Sequence, residues 1–141
     1  MNSGLRDNNS IYKTNGRKKT NVLFVVIQLS AGGSERIVLE LARNLDRTAF
    51  NVYLLFFSDG ELHKAFDEAC QELFYIPKQT GVDLGAMFRV SKIIREKSID
   101  VINAHHYMPF FYSYLGSKIL NRKRLIYTEH SVPEVEGVPS S

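Results

Sequence analysis

Residues 21–45, NVLFVVIQLSAGGSERIVLELARNL, decide the fold, because they combine a strand, a glycine turn and a helix in direct succession. Residues 22–27 form an unbroken apolar run rich in β-branched side chains, which is typical of a parallel strand buried on both faces. After the turn, apolar residues recur at helical spacing and predict one stripe packed on the sheet: Ile37, Val38, Leu41, Ala42 and Leu45. The stretch therefore predicts a strand–helix unit whose turn is a candidate ligand site.

Gly32 and Gly33 lie in this turn, and Ser34 is the expected N-cap of the helix that follows. Residues without side chains let a ligand approach the backbone closely, and the free N–H groups of a first helical turn attract phosphate. A glycine pair can equally serve only to connect a strand to a helix. These residues alone leave both interpretations open.

The same alternation continues along the chain. Further strands are predicted at residues 51–57, 73–76, 100–104 and 124–128, with helices beginning at residue 62 and covering 84–97 and 107–120. This pattern favours right-handed βαβ units in one open, parallel, Rossmann-like α/β sheet with helices on both faces.

If the strand order is 3-2-1-4-5, the order along the sheet reverses between the first and fourth strands. Ligands of such sheets bind beyond the carboxyl ends of the strands at this reversal. Gly32, Gly33 and His105 would then flank one crevice, with Glu129 and His130 beside them.

The length of 141 residues suits one domain, which we expect over residues 21–133, with a disordered basic tail at 1–20 and an irregular tail at 134–141. The net charge is +3, but the first 20 residues alone carry +4, so the remainder carries −1. The predicted domain is therefore not expected to bind nucleic acid.

Cys70 is the only cysteine, which excludes an internal disulfide and suits a reducing compartment. It falls on the apolar stripe of a predicted helix and is expected to fill core space, while His63 falls on the polar side. No apolar segment approaches the ~20 residues of a membrane span, and no signal-peptide core is visible. A cytoplasmic location is the expectation.

Several catalytic and cofactor motifs are absent from the sequence. The glycine turn reads SAGGSE rather than G-x-G-x-x-G, and no P-loop, G-x-S-x-G elbow or D-x-D pair occurs. His105 and His106 are adjacent, so on an extended backbone their side chains would point to opposite faces of the sheet. No metal site is expected, because four convergent ligands are not visible. His105 could also be a structural histidine at a strand end.

Four segments in this order, GGSERIVLELARNL, FNVYLLFF, DVINAHH and RLIYTEHS, resemble the N-terminal half of the GT-B glycosyltransferases of family four. These hexosyltransferase-type enzymes transfer a sugar from a nucleotide-sugar donor with retention. The resemblance implies that Gly32, Gly33 and the amide of Ser34 lie beside the donor diphosphate, and that His105 is the catalytic-site histidine contacting the transferred sugar. It places Ser58, Asp59, Glu129 and His130 on the acceptor side. Asn103 stands where the family usually has a first histidine.

The resemblance also implies what this sequence lacks. Family members hold the nucleotide in a second Rossmann-like domain with an E-x7-E motif, which does not occur here after the first domain. The chain thus looks like a truncated, acceptor-side half of an active site, inactive without the missing C-terminal domain. The complete enzyme would need a nucleotide sugar but no metal or other cofactor, and a glycan, lipid or small-molecule acceptor, with peripheral membrane contact left open. The alternative is a stand-alone, non-catalytic, flavodoxin-like module that binds a phosphate ligand or a partner protein.

Overall fold

The computed structural model of the chain describes residues 16–118 and 124–130. Strands and helices alternate throughout, as the sequence predicts. In chain order they are β1 (Thr20–Gln28), α1 (Gly33–Asn44), β2 (Phe50–Ser58), α2 (His63–Ala69), β3 (Glu72–Tyr75), α3 (Leu84–Glu96), β4 (Val101–His105), α4 (Tyr107–Lys118) and β5 (Arg124–Thr128).

The strands form one sheet in the order β3-β2-β1-β4-β5, and every neighbouring pair is parallel. The predicted α/β class is confirmed, and the strand order is the one on which the expected crevice depends. The order reverses between β1 and β4, so the turn after β1 and the residues after β4 open at the same edge of the sheet.

Two apolar layers cover the sheet, one on each face. Val22, Phe24 and Val26 of β1 pack with α1 and α2, whereas Leu23 and Val25 pack with α3 and α4. This division follows from the two-residue period of a strand.

The same two-residue period determines which face of the sheet each side chain of β4 occupies. Phe24 pairs with Asn103 in the parallel register, and Ile102 and Ala104 belong to the layer of α3 and α4. Asn103 and His105 therefore face the α1 side, where the rings of His105 and Phe24 lie 6.2 Å apart.

Helix α1 packs through a different stripe from the predicted one. Ile37 and Leu41 are 50% and 45% exposed, while Glu35 and Leu39 are buried beside the predicted Val38 and Ala42. Apolar residues lie on more than one side of this helix, so its sequence fits two orientations, and packing against the sheet and α2 selects one.

Ser34 is not the N-cap of α1, contrary to the sequence prediction. The cap is Gly32, which has an extended backbone and no side-chain cap hydrogen bond, and Ser34 lies within the first helical turn. The first-turn amides of α1 therefore have no capping side chain at Gly32.

The remaining predictions have mixed outcomes. Cys70 is buried, and burial raises the pKa of its thiol to about 11, as expected of a core cysteine.

The predicted tail at 1–20 lies outside the described residues except for 16–20, and Thr20 already belongs to β1. Residues 134–141 lie wholly outside them. No helix in the described part of the chain is long and apolar enough to cross a membrane.

Candidate functional site

The glycine turn after β1 presents backbone to open space. A Cβ built on Gly33 would meet no atom of the chain within 4 Å, and Gly33 is not among the described glycines with positive φ, which are Gly16 and Gly81. The turn therefore does not need glycine at position 33 for its own conformation. Space beside Gly33 at a helix N-terminus is what an approaching phosphate would use.

Glu35 lies next to this turn and was predicted from sequence only as an acid favoured by the helix dipole, not as a buried residue of the site. Its carboxylate accepts a hydrogen bond of 2.9 Å from the Ser34 hydroxyl and would lie 2.4 Å from a Cβ on Gly32. The Ser34 hydroxyl is thus already engaged, which leaves its amide as the group that could face a ligand. A side chain on Gly32 would have to displace a buried carboxylate.

The loop after β2 packs closely against the turn after β1 and is hydrogen-bonded to it. A Cβ on Gly60 would lie 2.5–2.7 Å from the backbone of Leu29 and Ser30. Backbone hydrogen bonds join the same loops, with Leu29 donating to Ser58 (3.1 Å) and Leu62 donating to Leu29 (2.9 Å). Gly60 therefore allows a close approach that no other residue permits without backbone movement.

Ser58 and Asp59, the predicted acceptor-side residues of β2, lie at the carboxyl end of that strand on the far side of β1 from β4. The carboxylate of Asp59 is 2.8 Å from Nδ1 of His63 and accepts a 2.8 Å hydrogen bond from the Gly60 amide. These two contacts, that of His63 first, hold the pKa of Asp59 below its ordinary value. Asp59 is thus committed to ordering its own loop, and His63, predicted to be solvated, is its half-exposed partner.

The carboxyl ends of β4 and β5 bring three histidines together. His105 pairs with Thr128 across the two strands, and its Nδ1 lies 2.7 Å from Nε2 of His130. The two rings are nearly parallel, with centroids 5.1 Å apart. The predicted proximity of His105 and His130 is therefore present in the structure.

His106 does not point away from His105 as expected. Its φ is +72°, so the extended backbone ends at His105 and the next side chain turns back toward the same cluster. The ring of His106 lies 5.4 Å from that of His130, and its Nδ1 is 3.2 Å from the Glu129 carboxylate. The sequence prediction assumed a strand geometry that this residue does not have.

His105 is the buried member of the cluster, with 1% of its surface exposed. Burial, and then the neighbouring His130 and His106, lower the pKa of its imidazole to about 4, so the ring is neutral at pH 7. Its Nε2 is buried and has no hydrogen-bond partner among the described residues. An unsatisfied buried nitrogen of this kind is costly and is a place where a ligand can bind.

Two further contacts in the cluster were not predicted from the sequence. The Tyr127 hydroxyl donates to Glu129, which raises the pKa of the Tyr127 phenol, and the Thr128 hydroxyl donates to Asn103 over 3.0 Å. Tyr127 and Glu129 are two residues apart at a strand end, a spacing that could have indicated their contact. The described residues contain no group of three or more His, Cys, Asp or Glu side chains able to hold a metal ion.

The sequence matches the family model of Glycosyltransferase Family 4 over residues 31–140. A comparison with curated proteins found no significant match. Among solved structures, a glycosyltransferase from Rickettsia africae ESF-5 superposes with a TM-score of 0.68 at 24% identity, over 82% of this chain and 31% of that one. HepE of Anabaena, in complex with UDP and glucose, superposes with a TM-score of 0.59 at 19% identity, over 79% and 30%.

A protein of another class has the same fold. The C-terminal domain of the PF1911 hydrogenase from Pyrococcus furiosus gives a TM-score of 0.57 at 11% identity, over 78% of this chain and 92% of that domain. Structural likeness at these identities therefore establishes the fold alone, and this chain spans about a third of the length of the two glycosyltransferases. The family model, which covers most of the chain, decides the family. The chain belongs to glycosyltransferase family 4.

Proposed function

We propose that this chain is the acceptor-side, N-terminal domain of a retaining glycosyltransferase that uses a nucleotide-sugar donor. The observation that carries the proposal is the buried His105, which has an unpartnered Nε2 at the strand-order reversal of the sheet. A neutral imidazole can donate or accept one hydrogen bond at this nitrogen, which suits a sugar hydroxyl.

The glycine turn supplies the second part of the proposed site. The amides of Gly33 and Ser34 would face the β-phosphate of the donor as negative charge develops on the leaving group. The open space beside Gly33 and the absence of a capping side chain at Gly32 support this role. Ser58, Asp59, Glu129 and His130 would border the acceptor.

Access to His105 requires one local movement. The rings of His130 and His105 lie end to end, joined by the 2.7 Å contact between Nδ1 of His105 and Nε2 of His130, and His105 is almost completely buried. We propose that donor or acceptor binding shifts the side chains around His105 and exposes its Nε2. His105 then positions the sugar and does not act as a general base, in keeping with retention.

The proposed enzyme needs a nucleotide-binding domain that these residues do not supply. HepE was solved with UDP and glucose, and this chain spans 30% of that protein. We propose that the chain alone transfers no sugar, because much of the stabilisation of the departing phosphate comes from a second domain. No metal or other cofactor is proposed.

The test compares the chain alone with the chain joined to a donor-binding domain. Release of nucleotide from UDP-, GDP- and ADP-sugars is measured for both forms, and the anomer of any product is identified by NMR. We expect turnover with retention only in the joined form. Turnover by the chain alone, or an inverted product, would contradict the proposal. Phosphate binding by the chain alone, with no sugar transfer by the joined form, would favour the alternative binding module.

A further inference from the structure

We infer that β5 pairs with β5 of a second copy of this chain, so that two five-stranded sheets join into one. Within the described part of the chain, β5 is paired on one side only, because it ends the strand order β3-β2-β1-β4-β5. A strand at the end of a sheet presents backbone N–H and C=O groups to which another chain can add. We call the outward backbone groups of this strand the β5 edge.

The hydrogen bonds on the β4 side show which groups form the β5 edge. The Arg124 amide and the Thr128 carbonyl each make a backbone hydrogen bond on that side, of 3.2 and 2.9 Å. Backbone groups of successive residues alternate in direction along a strand, so those of Leu125 and Tyr127 point away from β4. The β5 edge therefore consists of two N–H and two C=O groups.

The other end of the sheet is protected against such pairing. β3 has only four residues, and Pro77, which has no N–H, follows it closely. Glu72, the first residue of β3, forms a 2.6 Å ion pair with Lys97. Short strands and charged side chains discourage edge-to-edge pairing. β5 instead reads RLIYT, with a charge only at its first residue, so it is the edge open to a partner.

Apolar side chains on both faces of β5 are exposed beside this edge. Ile126 pairs with Asn103 on the α1 side of the sheet and is 49% exposed. On the α4 side, Tyr127 and Tyr114 are 43% and 44% exposed, and both rings pack against Phe110, at centroid distances of 4.9 and 6.1 Å. Grouped apolar surface of this kind, rich in tyrosine, is typical of a protein contact. A strand added at the β5 edge would cover side chains on both faces.

A second copy fits this edge because the sequence of β5 is complementary to itself in antiparallel pairing about Ile126. Leu125 of each copy then lies opposite Tyr127 of the other, and these residues exchange their outward hydrogen bonds. The two Ile126 side chains meet as a pair without hydrogen bonds, the kind in which side chains approach most closely.

The charges of β5 also permit this arrangement. Arg124 of one copy lies opposite Thr128 of the other, so the two arginines are separated by about 13 Å along the strands. Glu129 follows Thr128, which brings opposite charges of the two copies near each other. The contact comprises four backbone hydrogen bonds and a few side-chain pairs, so we expect association in the micromolar range.

The first test is amide hydrogen exchange of the full chain, followed by NMR at low and high protein concentration. We expect the amides of Leu125 and Tyr127 to exchange at least ~10-fold more slowly at high concentration, where the dimer forms. The Ile126 amide, which points toward β4, is the internal control and should exchange at the same rate at both concentrations. Sedimentation equilibrium on the same samples measures the dimer directly.

The second test compares one charge on each edge of the sheet. Ile126→Lys places two like charges opposite each other at the centre of the contact and should weaken the dimer at least ~10-fold. Tyr75→Lys on β3 is the matched control, because Tyr75 is 55% exposed on the protected edge, and it should leave the dimer unchanged. Urea unfolding of both variants confirms that each is folded.

Three outcomes would overturn the inference. Protection of Leu125 and Tyr127 that is equal at every concentration would mean that another segment of the same chain, such as residues 131–141, occupies the edge. A dimer that Ile126→Lys leaves intact would place the contact between copies elsewhere. A chain that stays monomeric, with both amides exchanging freely, would mean that the edge has no partner. These measurements involve no turnover, so their result is independent of the proposed function.

Discussion

The two sides of the candidate site present different groups to a ligand, backbone amides on one side and side chains on the other. The turn after β1 offers backbone amides and empty space at Gly33, and its nearest carboxylate, Glu35, is already hydrogen-bonded. The ends of β4 and β5 offer side chains that bind one another, with His105 at the centre. The first side should thus be sensitive to added volume only when a ligand is present. The second should be sensitive to loss of a functional group and to pH.

The largest expected effect is that of Gly33→Val in an enzyme form that includes a donor-binding domain. The new side chain would occupy the proposed phosphate space, so turnover should fall by at least ~10³-fold. The chain itself has room for the side chain, so the free energy of unfolding should change by less than ~1 kcal/mol. Urea unfolding and turnover are measured on one preparation. A folded and fully active variant would remove Gly33 from the site.

His105→Ala tests the other side and should lower turnover in the same form by ~10²-fold, as loss of one positioned polar contact does. His106→Ala should cost ~10-fold or less, because His106 contacts Glu129 and His130 at the periphery of the cluster. Steady-state kinetics of both variants provide the measurement. Equal losses would mean that the cluster acts as a unit and that His105 has no special place in it.

Gly60→Ala should destabilise the fold by about 2–4 kcal/mol, because its Cβ would overlap the backbone of Leu29 and Ser30. Gly33→Ala is the matched control, with an expected change within ~1 kcal/mol, since nothing surrounds that position. Urea midpoints of the two variants separate a glycine needed for packing from one that is not. Similar midpoints would contradict the tight contact between the two loops.

The smallest effect is a pH dependence that originates in the histidine cluster. The folded-state pKa of His105, about 4, lies below the ordinary 6.5, so the unfolded chain takes up this proton first as pH falls. Its contribution is fully present above pH 6.5 and is lost as pH falls toward 4, with a loss of about 2 kcal/mol between about pH 7 and pH 5. Urea unfolding across this range measures it.

His130→Ala provides the control for that pH dependence. Removing the neighbouring ring should raise the pKa of His105 toward 6.5 and flatten the stability profile, because burial and the neighbouring His130 cause much of the shift. NMR titration of the His105 ring follows the pKa directly. An ordinary pKa for His105 in the unchanged protein would refute both expectations.

The sequence was most informative where one signal dominated. The apolar runs of β1 and β2 and the alternation of elements predicted a parallel sheet, because a strand buried on both faces has few other interpretations, whereas the strand order could only be assumed. The buried side of α1 was predicted wrongly, because the exposed Ile37 and Leu41 are as apolar as the residues that are buried. Which side of such a helix faces inward depends on neighbours distant in sequence.

The location of the candidate site could be predicted from the sequence, but the orientation and burial of its side chains could not. Strand order alone brings His105 near His130, and the structure has them in contact. The positive φ of His106 could not be read from its residue type, so its turn toward Glu129 was missed. The buried state of Glu35 and the lowered pKa of His105 also depend on packing, which no local pattern encodes.

The contact at Gly60 ties the lengths of two loops to each other. The Leu29 amide donates to Ser58 and the Leu29 carbonyl accepts from Leu62, so these two backbone hydrogen bonds join the loops after β1 and β2. An insertion in either loop would break these hydrogen bonds and shift the other loop, even if the inserted residues themselves faced solvent. In homologues we therefore expect insertions to enter these two loops in concert.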